Sequence, residues 1–93
     1  MPERRPVVAI LDDEAQLRAA LARLLGANEF DVELFDTAEH FMDATETCDF
    51  DCVLLDLHMP QTSGFDVLRL LSAKNLSLPV IVITGREIPR KAY

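Results

Sequence analysis

Five consecutive apolar residues, Val7-Val8-Ala9-Ile10-Leu11, run directly into two aspartates, Asp12-Asp13. A short apolar run with no polar alternation, set off by Pro6, reads as a strand buried on both faces. The pattern returns from Cys52 to Leu57, which carries Asp56, and from Val80 to Thr84, introduced by Pro79. A strand buried on both faces needs cover on both faces. Such strands belong in a parallel sheet between helical layers, and right-handed crossovers leave few ways to connect them.

The segments between these runs supply the cover. From Glu14 to about Ala27, Leu17, Leu21, Leu24 and Leu25 fall at helical spacing on one face, with Gly26 and Asn28 as stop residues. Phe30, Val32 and Leu34 alternate with Asp31 and Glu33, which predicts a second strand, less deeply buried than the first. Asp36 or Thr37 caps the next helix, and Glu39 stands where a capping box from Asp36 would place it. That helix runs to about Thr47 with Phe41 and Met42 as its apolar members. Pro60 and Gly64 bracket a loop, after which Phe65, Leu68 and Leu71 mark a helix ending near Lys74. The chain shows no repeat, low-complexity tract or linker, so residues 1–93 read as a single α/β domain.

Composition narrows the function classes. Nine basic against sixteen acidic residues give a net charge of −7, the wrong sign for binding nucleic acid directly. The longest apolar runs are far too short to span a bilayer, and the N-terminus does not read as a signal peptide. Cys48 and Cys52, with no second pair, do not form a metal-ligand set and read as ordinary residues of a reduced, cytoplasmic protein.

In open parallel sheets, function sits at the carboxyl ends of the strands. There the sequence places Asp12-Asp13 after the first strand, Asp56 at the end of the third, and Thr84-Gly85 after the fourth. Each alone has an ordinary explanation: a helix cap, a satisfied buried acid, a β-branched strand residue. Together they do not, because carboxylates packed a few ångströms apart repel one another. A divalent cation resolves the conflict, and oxygen-only ligands around open positions suit Mg²⁺.

Strand–Asp-Asp–helix, then Asp56-Leu57-His58-Met59-Pro60 with Ser63-Gly64 following, then Val80 to Gly85, resembles the bacterial two-component receiver domain. The likeness is greatest to receivers that precede DNA-binding output domains in nitrogen-fixation and aromatic-degradation regulators. It covers Val7 to about Tyr93. It implies a doubly wound, CheY-like (flavodoxin-like) sheet of strand order 2-1-3-4. It also implies that Asp56 accepts a phosphoryl group from a sensor histidine kinase in a Mg²⁺-dependent reaction. Asp13 would then bind Mg²⁺ directly, Asp12 through a water, and Asp56 and the backbone carbonyl of His58 would complete the set. Thr84 would donate to the phosphoryl oxygens, Gly85 would keep that approach clear, and Met59, Pro60 and Gly64 would shape the adjoining loop.

The family pattern continues with a fifth strand, whose end carries a lysine, and a fifth helix. Neither they nor that lysine are found in this sequence, and Lys91 comes too soon after Thr84 to stand in that place. The expectation is a fragment of a longer regulator bearing a DNA-binding output domain. A second reading is a phosphorylation-independent pseudo-receiver that binds a protein partner. A turnover enzyme is not expected: a haloacid-dehalogenase-type phosphatase would need an acid where His58 stands, and no Walker loop or dinucleotide fingerprint is present. Without a fifth strand and helix, the fourth strand is an edge. The face shared with the first helix is then uncovered, with side chains of the first and third strands meeting water. Self-association through that edge or face is the consequence.

Overall fold

The computed structural model describes residues 5–57, 59 and 64–83. The elements alternate as the apolar runs require: β1 Val7–Leu11, α1 Ala15–Ala27, β2 Asp31–Phe35, α2 Ala38–Ala44, β3 Cys52–Asp56, α3 Gly64–Ala73 and β4 Val80–Ile83. The strands form one parallel sheet in the order β2-β1-β3-β4. His58, Pro60, Ser63, Thr84, Gly85 and Lys91, all singled out in the sequence, lie outside the described residues.

Side chains alternate across the sheet. On one face Ala9, Leu11, Val53 and Leu55 meet Phe41 and Met42 of α2 and Val67 and Leu71 of α3, all buried. Phe50 joins this layer, and the rings of Phe35, Phe41 and Phe50 pack with centroids 5.6–5.8 Å apart. On the other face Val8, Ile10 and Leu54 are buried against the half-buried Leu21, Leu25, Phe30, Val32 and Ile83. The expectation that β1 and β3 would meet water on this face is therefore wrong: Val8, Ile10 and Leu54 are buried there, with Leu21 and Leu25 of α1 among the side chains packed against this cluster. Exposure falls on the outer strands instead, at Leu34 of β2 and Ile81 of β4.

Two helical faces differ from their spacing. Leu24 is 59% exposed and Phe65 is 58% exposed, so neither faces the core. Leucines at both i+7 and i+8 leave the rotation of α1 open, and Leu21 and Leu25 decide it. In α3 the buried stripe is Gly64, Val67 and Leu71 rather than Phe65.

The helix ends also refine the reading. Gly26 lies within α1. The helix closes instead at Asn28 and Glu29, where Glu29 takes a left-handed φ of 70° and Phe30 N donates back to Leu25 O. Arg5 donates to the carbonyls of Glu29 and Phe30 at 3.0 and 3.1 Å, in the turn that follows the helix. Thr37, not Asp36, caps α2, accepting from His40 N at 3.2 Å; the Glu39 capping box is not formed.

Candidate metal and phosphoacceptor site

The β1–β3 register makes the site. Leu11 pairs with Leu55, so Asp12 and Asp56 are the next residues along two adjacent parallel strands. Both leave the core at the same edge, and Asp13 follows in the turn to α1. One carboxylate oxygen from each of Asp12, Asp13 and Asp56 can be chosen so that all lie within 4.8 Å of one another. Asp12 and Asp56 are buried and Asp13 is exposed. Asp56 also pairs with Ile83 of β4, which places the end of the fourth strand at this edge.

Asp12 is held from three sides. Its N–H donates to Phe35 O at 3.1 Å, extending the β1–β2 ladder past Leu11. Its Oδ1 accepts from Glu14 N at 2.8 Å, and its own carbonyl accepts from the Arg18 guanidinium at 2.6 Å. The carboxylate thus braces the β1–α1 turn; the N-cap position of α1 belongs to Glu14. The second oxygen, Oδ2, is buried with no hydrogen-bond partner among the described residues. Burial pushes the Asp12 carboxyl above its ordinary pKa. The Glu14 N–H opposes that shift, and the charges of Asp56, Asp13 and Glu14 add to it.

A buried carboxylate oxygen without a donor, facing two further carboxylates, is unfavourable without a cation. All three donors are oxygens, the ligand set that hard divalent cations take. The residues therefore fit the expected ion.

Gly64 packs against the end of β3. A Cβ there would stand 2.8 Å from Leu57 Cα and 2.9 Å from Asp56 O, both backbone atoms. Glycine lets α3 begin against the residue that ends β3, and Gly64 N donates to Leu57 O at 3.3 Å. Met59 is buried in the same core layer as Val67 and Leu71. Arg18 and Glu14 had not been read as parts of the site. Arg18 acts on a backbone carbonyl, and no side-chain pattern in the sequence signals such a contact.

The match to the response regulator receiver domain runs over residues 8–92, and the chain belongs to that family. It is 36% identical over 83 residues to the transcriptional regulatory protein FixJ of Bradyrhizobium diazoefficiens, covering 88% of this chain and 40% of that protein. It is 36% identical over 90 residues to the response regulator protein TodT of Pseudomonas putida, covering 96% and 40%. A solved response regulator receiver protein from Pseudomonas putida superposes with a TM-score of 0.84 at 29% identity, covering 98% of this chain and 77% of that one. The chain spans about 40% of the length of these two curated relatives. The resemblance read from Asp12-Asp13, Asp56 and the fourth strand is therefore correct, and the protein is a receiver domain of two-component signalling. No helix among the described residues is long and apolar enough to cross a membrane.

Proposed function

We propose that this domain accepts a phosphoryl group on Asp56 from a phosphohistidine of a sensor kinase, with Mg²⁺ held by Asp12, Asp13 and Asp56. The observation that carries the reading is the convergence of three carboxylates at one sheet edge, with Asp12 Oδ2 buried and unpartnered among the described residues. A carboxylate oxygen of Asp56 attacks phosphorus in line. The new P–O bond gives an acyl phosphate as the P–N bond breaks and the imidazole leaves with its electron pair. Mg²⁺, when bound, offsets negative charge on the phosphoryl oxygens. Asp12, fixed by its turn, and Asp13, exposed beside it, hold the ion, Asp13 directly and Asp12 through a water. The His58 carbonyl would be a further ligand, the Thr84 hydroxyl would donate to the phosphoryl oxygens, and Gly85 would keep that approach clear. The site acts once per phosphorylation and does not turn over substrate as an enzyme does.

The relatives named as transcriptional regulators support a DNA-binding output region elsewhere in the full-length protein, and cytoplasmic residence follows from that role. A second reading is a partner-binding module that needs no phosphorylation. Incubation with Mg²⁺ and a small phospho-donor such as acetyl phosphate, followed by intact mass, separates the two. A single phosphoryl adduct, slow to form and absent from Asp56→Asn, is expected. An adduct that persists in Asp56→Asn removes the assignment, and no adduct on the wild-type chain favours the second reading.

A further inference from the structure

We infer that Arg18 is a positioning residue for the cation site, setting the relative directions of the Asp12 and Asp13 carboxylates through the peptide plane that joins them. The inference deepens the proposed Mg²⁺-dependent function and rests on it. The Asp12 carbonyl belongs to the planar unit that ends at the Asp13 Cα. The orientation of that plane fixes ψ of Asp12 and φ of Asp13 together, and with them the angle between the two side chains. Arg18 NH1 donates to this carbonyl at 2.6 Å, a short charge-assisted contact. Arg18 is itself rooted in the first turn of α1, where its N–H donates to Glu14 O at 3.0 Å. The guanidinium therefore reaches back over the turn and ties the helix to the last residue before it.

The other restraints on Asp12 do not touch this carbonyl. The bond from Asp12 N to Phe35 O fixes the preceding peptide plane, and the bond from Glu14 N to Asp12 Oδ1 closes a turn across the Asp12–Asp13 peptide. Arg18 adds to that turn a contact on the peptide's own carbonyl. Asp13 is exposed, so burial does not hold its side chain in one direction. Arg18 is half-buried, and its contact is with the backbone rather than with a carboxylate. Its role is thus geometric. A cation that must be reached by both aspartates binds tightly only when their shared plane is already set, which is the work of an outer partner to metal ligands.

The test is an Mg²⁺ titration of the full chain and of Arg18→Met and Arg18→Lys, followed by amide chemical shifts, with thermal melts in chelator alongside. Methionine keeps the packing of the stem and removes every donor; lysine keeps one. Arg18→Met should weaken Mg²⁺ binding roughly tenfold, the lower end for loss of an outer partner. Arg18→Lys should return to within about threefold of wild type, since an ammonium donates but lacks the rigid fork. If wild type binds Mg²⁺ and Arg18→Met binds it equally well, whatever happens to its melt, the positioning role is overturned and the proposed function stands. If Arg18→Met is too unstable to titrate, Arg18→Lys decides: affinity more than about tenfold below wild type, despite a retained donor, overturns the role. If wild type itself shows no Mg²⁺ binding, the proposed function falls and the inference falls with it.

Discussion

The two faces of the sheet are built to different depths. Toward α2 and α3, eleven apolar residues among those described are buried in one layer, anchored by three interlocking phenylalanines. Toward α1, among the described residues, only Val8, Ile10 and Leu54 are buried, under side chains that are themselves half-exposed. Asp12 and Asp56 stand where β1 and β3, buried on both faces, leave this sandwich. The thick face supplies rigidity to the site, while the thin face supplies the helix whose first turn shapes it.

The largest effect should come from breaking the thick face. Phe41 is fully buried between Phe35 and Phe50, so Phe41→Ala should cost about 3–5 kcal/mol. Leu21 packs on the thin face but is half-buried, and Leu21→Ala should cost roughly 1 kcal/mol, part of a full leucine burial. Urea unfolding of both variants measures the ratio. Equal losses would mean that the thin face is as well packed as the thick one, against its burial.

How far this architecture is legible in the sequence depends on what each residue contacts. Uninterrupted apolar runs mark β1 and β3, which are buried on both faces, although the equally apolar β4 is half-exposed; an acid ending a buried strand is conspicuous, and this marks Asp12 and Asp56. Phe41 and Met42 were equally plain, as the apolar members of a short helix. Leu24 and Phe65 were misplaced because a helical stripe read from leucine spacing admits neighbouring rotations, and only the partner surface selects one. The burial of Val8, Ile10 and Leu54 is not legible because it depends on how neighbouring elements lie over the sheet, which spacing does not record. Glu29 as the left-handed terminator and Arg18 on a carbonyl involve backbone groups, which carry no residue-type signature.

An intermediate effect is expected at the site itself, and it depends on pH. The Asp12 carboxyl is raised above its ordinary value in the folded chain, chiefly by burial. A group with a raised folded pKa binds its proton more tightly when folded. Without metal, its contribution to stability is therefore greatest at low pH and falls as pH rises from the unfolded value near 3.8 through the raised folded one. Asp12→Asn should remove that fall and make the metal-free chain more stable at neutral pH. Mg²⁺ should stabilise wild type but not this variant. Thermal melts from pH 4 to 7.5 in chelator check the sign; a wild-type melt that rises across this range no less than that of Asp12→Asn would show that burial of Asp12 is already compensated.

The smallest effect on stability, and the clearest on association, should come from the outer strand. β4 pairs with β3 along Val53↔Val80 to Asp56↔Ile83, and no partner lies on its other side among the described strands. Opposite Leu54, Ile81 continues the thin face and is 52% exposed; opposite Leu55, Val82 continues the thick face and is 46% exposed. A strongly apolar edge of this kind offers both backbone groups and side chains to a second strand. The 93-residue chain should therefore self-associate at micromolar concentration, with β4 of one copy meeting β4 of another. Ile81→Lys should suppress this, because a charge on an edge strand opposes pairing, while changing monomer stability by only about 0.5 kcal/mol. Sedimentation of both chains is the measurement. A wild-type chain that sediments as a monomer would show that the edge is covered by other means. A dimer that survives Ile81→Lys would move the contact from the thin face to the Val82 side, where the thick layer ends.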